Sequence, residues 1–184
     1  AKQIITATGA IERPLSFPGN DIPGIMLASA VRDYATNFGV AVGDKVAIFT
    51  NNDDAYRTAI TLHEIGVTVP VIIDARSGGG GELAHHAKEL GIRVENGKAI
   101  LKVFGQKRVK AVTICDYEKS GANKEKIECD SIAMSGGWSP VVHLFSHCGG
   151  KLKWDEDLAL YRPDKAAKPT SSDGLPFVTA VGSA

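Results

Sequence analysis

The stretch Val46 to Arg76, VAIFTNNDDAYRTAITLHEIGVTVPVIIDAR, decides how the rest of the chain reads. Val46-Ala47-Ile48-Phe49 is an uninterrupted apolar run, the pattern of a parallel strand covered on both faces. The polar loop Thr50-Asn51-Asn52-Asp53-Asp54 follows. From Ala55 to Ile65 the apolar residues Ala55, Ala59, Leu62 and Ile65 recur as on one helix face, and Gly66 stops the helix. A second apolar run, Val67 to Ile73, ends on the carboxylate of Asp74. Pro70 cannot donate to a ladder, so regular pairing in that run starts after it. Strand, tight turn, helix, strand and terminal acid is the layout of a dinucleotide-binding βαβ unit.

The glycines of that layout are missing. In the G-x-G-x-x-G/A fingerprint the first glycine makes the turn, the second lets backbone approach the pyrophosphate, and the third position lets helix and strand pack. Aligned on the preceding strand, these positions fall on Thr50, Asn52 and Ala55. Ala55 suits its place, whereas the Asn52 side chain takes space where phosphate would sit. Asp53 and Asp54 are expected to cap the helix through its free N–H groups and to repel a phosphate there. A plain structural βαβ unit therefore stands beside the dinucleotide site as a reading. Asp74 lies 24 residues beyond Thr50, close to the ~20-residue offset at which an acid meets the adenosine ribose. A strand-end Asp that caps the next turn is the alternative. Arg76 could hold a 2′-phosphate, while Asp74 itself favours NAD over NADP.

The periodicity on either side completes a fold class. Gln3 to Thr6 reads as a strand, residues 12–21 as an extended loop, and Met26 to Phe38 as a helix stopped by Gly39. Ser77 to Gly81 reads as a flexible glycine linker, followed by a helix from Glu82 to Leu90. Ile92 to Glu95, Lys98 to Phe104, Arg108 to Tyr117 and Lys126 to Cys129 alternate as strands. Asn96-Gly97, Gly105-Gln106 and Ser120-Gly121-Ala122-Asn123 separate them as turns. The expected architecture is α/β: a Rossmann-like βαβ parallel sheet with an inserted antiparallel β-meander. Asp130 to Met134 is a further strand, and it runs into Ser135-Gly136-Gly137-Trp138. A glycine-rich turn at the carboxyl end of such a strand is where open α/β sheets bind ligands. Val141 to His147 suggests a short helix, Trp154 to Pro176 mostly loop, and Phe177 to Val181 a last strand.

Composition narrows the classes of partner. The chain has 184 residues and a formal net charge of zero, which suits one ordinary domain with a real core. No basic block or cationic amphipathic helix argues for nucleic acid or a membrane surface. No apolar segment approaches the ~20 residues of a spanning helix. Cys115, Cys129 and Cys148 show no C-x-x-C spacing and read as reduced thiols of an intracellular, cytoplasmic protein. His143 and His147 would share one helix face, but no third metal ligand stands at a recognisable spacing.

The ends add a resemblance. Thr6-Ala7-Thr8-Gly9-Ala10 with Glu12-Arg13-Pro14 resembles the stretch where two-dinucleotide flavoproteins leave the FAD domain for the NAD domain. Phe177 to Ala184, FVTAVGSA, resembles the stretch where they return. The order between them resembles the NAD domain of the pyridine nucleotide-disulfide oxidoreductase fold. Four stretches, ATGAIERPLSFPGNDIPGIMLASAV, IFTNNDDAYRTA, VIIDAR and above all MSGGWSPVVHLFSHCGGKLKWD, are similar to the α subunits of heterotetrameric sarcosine oxidases.

That resemblance implies a complex that demethylates sarcosine oxidatively to glycine, formaldehyde and hydrogen peroxide. Its FAD and covalent FMN would lie in or against other subunits of the heterotetrameric flavoenzyme, and its α subunit would hold NAD. Carried over, Thr50, Asn51, Asn52, Asp53, Asp74, Arg76, Gly136, Gly137 and Trp138 would line the NAD site. No catalytic residue transfers. The chain then reads as a fragment of the α subunit. Residues 1–24 would be the edge of the FAD domain and crossing loop, 25–150 the NAD-binding domain, and 151–184 the return segment. A related multi-subunit amino-acid dehydrogenase, or a degenerate structural module that binds nothing, remain as alternatives.

Overall fold

A computed structural model describes residues 2–118 and 121–182. The described residues hold, in chain order, β1 (Ile4–Thr6), β2 (Ala10–Glu12), β3 (Ile25–Leu27), α1 (Ala28–Phe38), β4 (Val46–Thr50), α2 (Asp54–Glu64), β5 (Ile72–Asp74) and α3 (Gly81–Glu89). Then come β6 (Val94–Asn96), β7 (Lys98–Gly105), β8 (Val109–Asp116), β9 (Glu125–Glu128), β10 (Ser131–Ser135), β11 (Trp138–Pro140), α4 (His143–His147), β12 (Leu152–Asp155), β13 (Leu160–Pro163) and β14 (Val178–Ala180). They form two compact units, residues 13–137 and residues 1–12 with 138–184.

The larger unit is a parallel five-stranded sheet in the order β3-β10-β4-β5-β6. Alternation along its strands sorts side chains into two cores. Val46, Ile48, Ile72 and Ala133 pack with Ala28, Val31, Ala55, Ala59, Leu62 and Ala84 from the helices. Ala47, Phe49, Ile73, Ile132 and Met134 pack with Val103, Val109, Val112, Ile114 and Ile127 from the antiparallel sheet β7-β8-β9. Helices thus cover one face and the meander the other. This is why the central strands are apolar throughout instead of alternating with polar residues. Small alanines on α1, α2 and α3 let the helices lie close to the sheet.

The expected α/β class is the one found, with local differences. Met26 belongs to β3 and not to the helix, because Ile25–Leu27 pairs in parallel with Ile132–Met134 of β10. Val94–Asn96 pairs in parallel with β5 and so leaves the meander, which has three strands. Asn96-Gly97 is then a corner between two sheets and no hairpin: Gly97 takes φ 66° there, and its N–H donates to Arg76 O at 2.9 Å. Pairing after Pro70 begins at Ile72, as expected.

In the second unit, β1 pairs in parallel with β14 and β2 antiparallel with β11. The expected loop after Trp154 is in part a hairpin, β12 with β13, closed by an edge-on contact between Trp154 and Tyr161 at 4.9 Å. Ser120 of the third expected turn, and Ser183 and Ala184 of the closing stretch, lie outside the described residues. Among the described residues no helix is long and apolar enough to cross a membrane.

Candidate functional site: the carboxyl edge of the parallel sheet

Strand register lines up four polar residues from four strands at the sheet's carboxyl edge. Ser135 pairs with Thr50, Thr50 with Asp74, and Asp74 with Asn96. Ser135, Thr50 and Asp74 are fully buried. β10 and β4 are neighbours in the sheet but far apart in sequence, so this row borders the crevice at which open α/β sheets take ligands.

The β4–α2 turn is closed by side chains. Thr50 Oγ1 accepts from the Asn52 N–H at 3.0 Å and donates to Asn52 O at 2.9 Å. Asn52 Nδ2 donates to Ser135 O at 3.1 Å and Ser135 Oγ at 2.9 Å, which ties β4 to β10. Its Oδ1 accepts from the Asp54 N–H at 3.1 Å. Asn52 therefore does the helix capping expected of Asp53 and Asp54, neither of which caps α2 through its side chain. Asp54 instead faces Arg32 at 3.3 Å and Arg57 at 3.6 Å.

Asp53 is drawn away by a longer-range partner. Its Oδ1 accepts from Arg76 Nη2 at 2.7 Å and from the Gly80 N–H at 3.0 Å. Arg76 also closes on Asp74: its N–H and Nε reach Oδ1 at 2.9 and 3.0 Å, and Nη2 reaches Oδ2 at 2.8 Å. Tyr56 O–H donates to Asp74 Oδ2 at 2.8 Å. A buried carboxylate is costly unless its lone pairs are satisfied, and here four donors satisfy them. Burial first, and the Asp74 charge next, push the Tyr56 phenol above its ordinary range, so it remains a donor at neutral pH. The hydrogen bonds to Asp74 and Asp53 raise Arg76 further above its already high value.

Residues 78–81 are no mere linker. A Cβ on Gly79 would fall on the Asp74 carboxylate and within 2.6 Å of the Arg76 guanidinium. Gly80, at φ 92°, leaves a Cβ no more than 2.6 Å from the Tyr56 ring, and Gly81 opens α3. This strap lies directly over the Asp74–Arg76 pair.

The predicted residues Thr50, Asn51, Asn52, Asp53, Asp74 and Arg76 thus meet at one edge. Gly136 and Gly137 follow β10 in the same unit, pinned by the Arg13 backbone: Gly136 N–H donates to Arg13 O at 2.6 Å and Arg13 N–H to Gly137 O at 2.8 Å. A Cβ on Gly136 would sit 2.9 Å from Pro14 O, so its glycine is required by packing. Trp138 belongs to the other unit, paired with Glu12 in β11 and β2. Tyr56, Ser135, Gly79 and Gly80 were not singled out from the sequence. Asp74 was, and a polar residue ending each neighbouring strand is the signal that points to Ser135. Among the described residues, no three His, Cys, Asp or Glu side chains gather as a metal site would need.

A parallel sheet with helices on one face, an antiparallel sheet on the other and a polar carboxyl edge defines the class. It is the nucleotide-binding fold of flavin- and pyridine-nucleotide-dependent oxidoreductases, the pyridine nucleotide-disulfide oxidoreductase fold expected above. The crystal structure of T. acidophilum thioredoxin reductase matches all of this chain and 57% of that one, with TM-score 0.70 and 19% identity. Sequence similarity goes further than the fold. The chain is 38% identical over 170 residues to the sarcosine oxidase subunit alpha of Corynebacterium sp. (strain U-96), covering 90% of this chain and 17% of that protein. It is 40% identical over 161 residues to that of Rhizobium meliloti (strain 1021), covering 88% and 15%. The chain is a homologue of one stretch of sarcosine oxidase α subunits. It spans less than a fifth of the length of these relatives. No protein-family model matches it.

Proposed function

We propose that residues 25–150 form the NAD-binding domain of a sarcosine oxidase-type α subunit, flanked by segments that lead from and return to an FAD-type domain. The identity of 38–40% across nearly the whole chain carries this reading. The whole protein, with its partner subunits in a cytoplasmic heterotetramer, would then be an oxidoreductase. It would convert sarcosine, oxygen and water to glycine, formaldehyde and hydrogen peroxide, with FAD and FMN supplying the electron-transfer chemistry. Residues of this chain would bind and orient NAD and carry no catalytic group.

The site fits one end of a dinucleotide better than the other. Asp53 offers an exposed carboxylate to a ribose, and Arg76, held on Asp74, lies beside it. At the start of α2, Asp53 and Asp54 oppose the negative charge that a helix N-terminus otherwise favours. The reading therefore places the grip at the ribose and on the side chains of Thr50, Asn51 and Asn52, with Gly136 and Gly137 bordering the crevice.

One observation supports a second reading, a structural module that binds no dinucleotide: all four acceptor positions of Asp74 are already filled. Calorimetric titration with NAD, on this chain and on the assembled complex, separates the two. Binding in either supports the first, and none in both supports the second. Sarcosine-dependent peroxide should appear with the assembled complex and not with this chain alone. Peroxide formation by the chain alone would refute the assignment of catalysis to other parts.

A further inference from the structure

Arg76 is the residue type that takes a 2′-phosphate at this place in the fold. Here its guanidinium lies between two carboxylates, Asp74 on one side and Asp53 on the other. Two acids and one base leave this corner with one net negative charge. Asp74 is fully buried and its acceptor positions are filled, whereas the Asp53 side chain is 53% exposed. Among the described residues, both hydrogen bonds to the Asp53 side chain fall on Oδ1 and none on Oδ2.

We propose that Asp53 is the specificity-determining residue of the dinucleotide site. It meets the ribose hydroxyls in place of the buried Asp74, and by holding Arg76 it excludes a dinucleotide carrying a 2′-phosphate. The inference rests on the NAD-binding reading given under Proposed function. A ribose hydroxyl can donate to Asp53 Oδ2 while the Asp53–Arg76–Asp74 contact stays closed. A 2′-phosphate carries nearly two negative charges. The Nε and Nη2 of Arg76 are taken by the two carboxylates. A two-pronged grip on the phosphate would therefore strip donors from the buried Asp74, and a contact through Nη1 alone would draw the phosphate to a corner of its own sign. The Gly80 N–H bond to Asp53 holds the glycine strap to the same contact, so opening it moves the strap as well.

The test compares NAD and NADP by calorimetry on the full 184-residue chain and on the assembled complex. The variants are Asp53→Asn, which keeps shape and removes charge, and Asp53→Glu, which keeps charge. Asp53→Asn is expected to shift relative affinity toward NADP by about tenfold, the scale of a phosphate's interaction with one half-exposed charge. The shift should shrink at high salt. It should vanish in Asp53→Asn/Arg76→Met, where no guanidinium remains to take the phosphate, and Asp53→Glu should keep the original preference. A thermal melt of each variant confirms folding. An NAD-to-NADP ratio unchanged in Asp53→Asn, with NAD still bound, overturns this inference and leaves the NAD-binding reading standing. No binding of either dinucleotide by the original protein, as chain or as complex, overturns both.

Discussion

Replacing Asn52 by glycine would give the β4–α2 turn the residue that the ordinary fingerprint has at that position. If the asparagine merely obstructs a phosphate, the change should help. The structure argues the reverse. Besides a long, exposed contact to Asn51 Oδ1 at 3.4 Å, the Asn52 side chain makes three hydrogen bonds that tie the turn together, two to Ser135 and one from the Asp54 N–H. At about 1 kcal/mol net for each, their loss comes to about 3 kcal/mol. Glycine's extra freedom in the unfolded chain adds roughly 0.5–1 kcal/mol. Water reaching this half-buried turn returns part of that, so the expected destabilisation is about 2–3 kcal/mol.

Urea unfolding followed by far-UV circular dichroism measures it. Tryptophan fluorescence is a poor reporter, since Trp138 and Trp154 both belong to the other compact unit. Amide exchange gives the local readout: the Asp54 N–H, which Asn52 Oδ1 holds, should lose protection. Asn52→Asp keeps an acceptor for that N–H and loses both donors to Ser135, so it should fall between the two. NAD affinity, measured alongside, should weaken in Asn52→Gly. Stability within about 0.5 kcal/mol of the original, or unchanged or tighter NAD binding, would refute the idea that side chains build this turn.

Three further outcomes follow from particular residues. Gly79→Ala should destabilise by about 1–3 kcal/mol through overpacking against Asp74 and Arg76. Gly78→Ala, whose Cβ meets nothing within 4 Å, should be neutral or slightly stabilising. Urea midpoints compare the pair, and equal effects would mean that the strap does not lie on the acid. Burial, and secondarily the Asp130 charge, pushes the Cys129 thiol up from 9.0 to about 12. A folded value above the unfolded one means that this contribution to stability is complete below pH 9 and is lost as pH climbs toward 12. The alkaline loss of stability should therefore be shallower in Cys129→Ala than in the original. In a thiol-reagent assay at pH 8 the exposed Cys148 should react in the native protein, and the buried Cys115 and Cys129 only on unfolding.

The βαβ centre was legible because its signals are local. Val46 to Phe49 is apolar without a break, the helix face repeats at the right period, and Gly66 and Pro70 punctuate where the structure does. What escaped depends on partners distant in sequence. Met26-Leu27 looks like the start of a helix until β10, more than a hundred residues on, supplies a strand beside it. Asn96-Gly97 has the composition of a hairpin turn, yet Val94 finds its partner in Ile72 and not in the meander. Residues 78–81 suggest a linker because four glycines signal freedom in an unfolded chain. In the folded one the missing side chains of Gly79 and Gly80 make room for an acid, a guanidinium and a phenol.

The site was half legible for the same reason. Asp74 stands out because its offset from the turn is a sequence property. Its neighbours in the row, Ser135 and Asn96, are placed by the register of strands that the chain reaches much later. Asp53 shows the limit best. Judged by residue type and position it is a helix cap, and Asn52, one place earlier, does that work instead. Asp53 is then free to reach Arg76, 23 residues away. A glycine at position 52 would have left the helix start to Asp53 and the guanidinium of Arg76 to whatever ligand arrived. The glycine-poor turn and the occupied arginine are thus linked, and a side chain in place of the second glycine is what frees the next residue to hold Arg76.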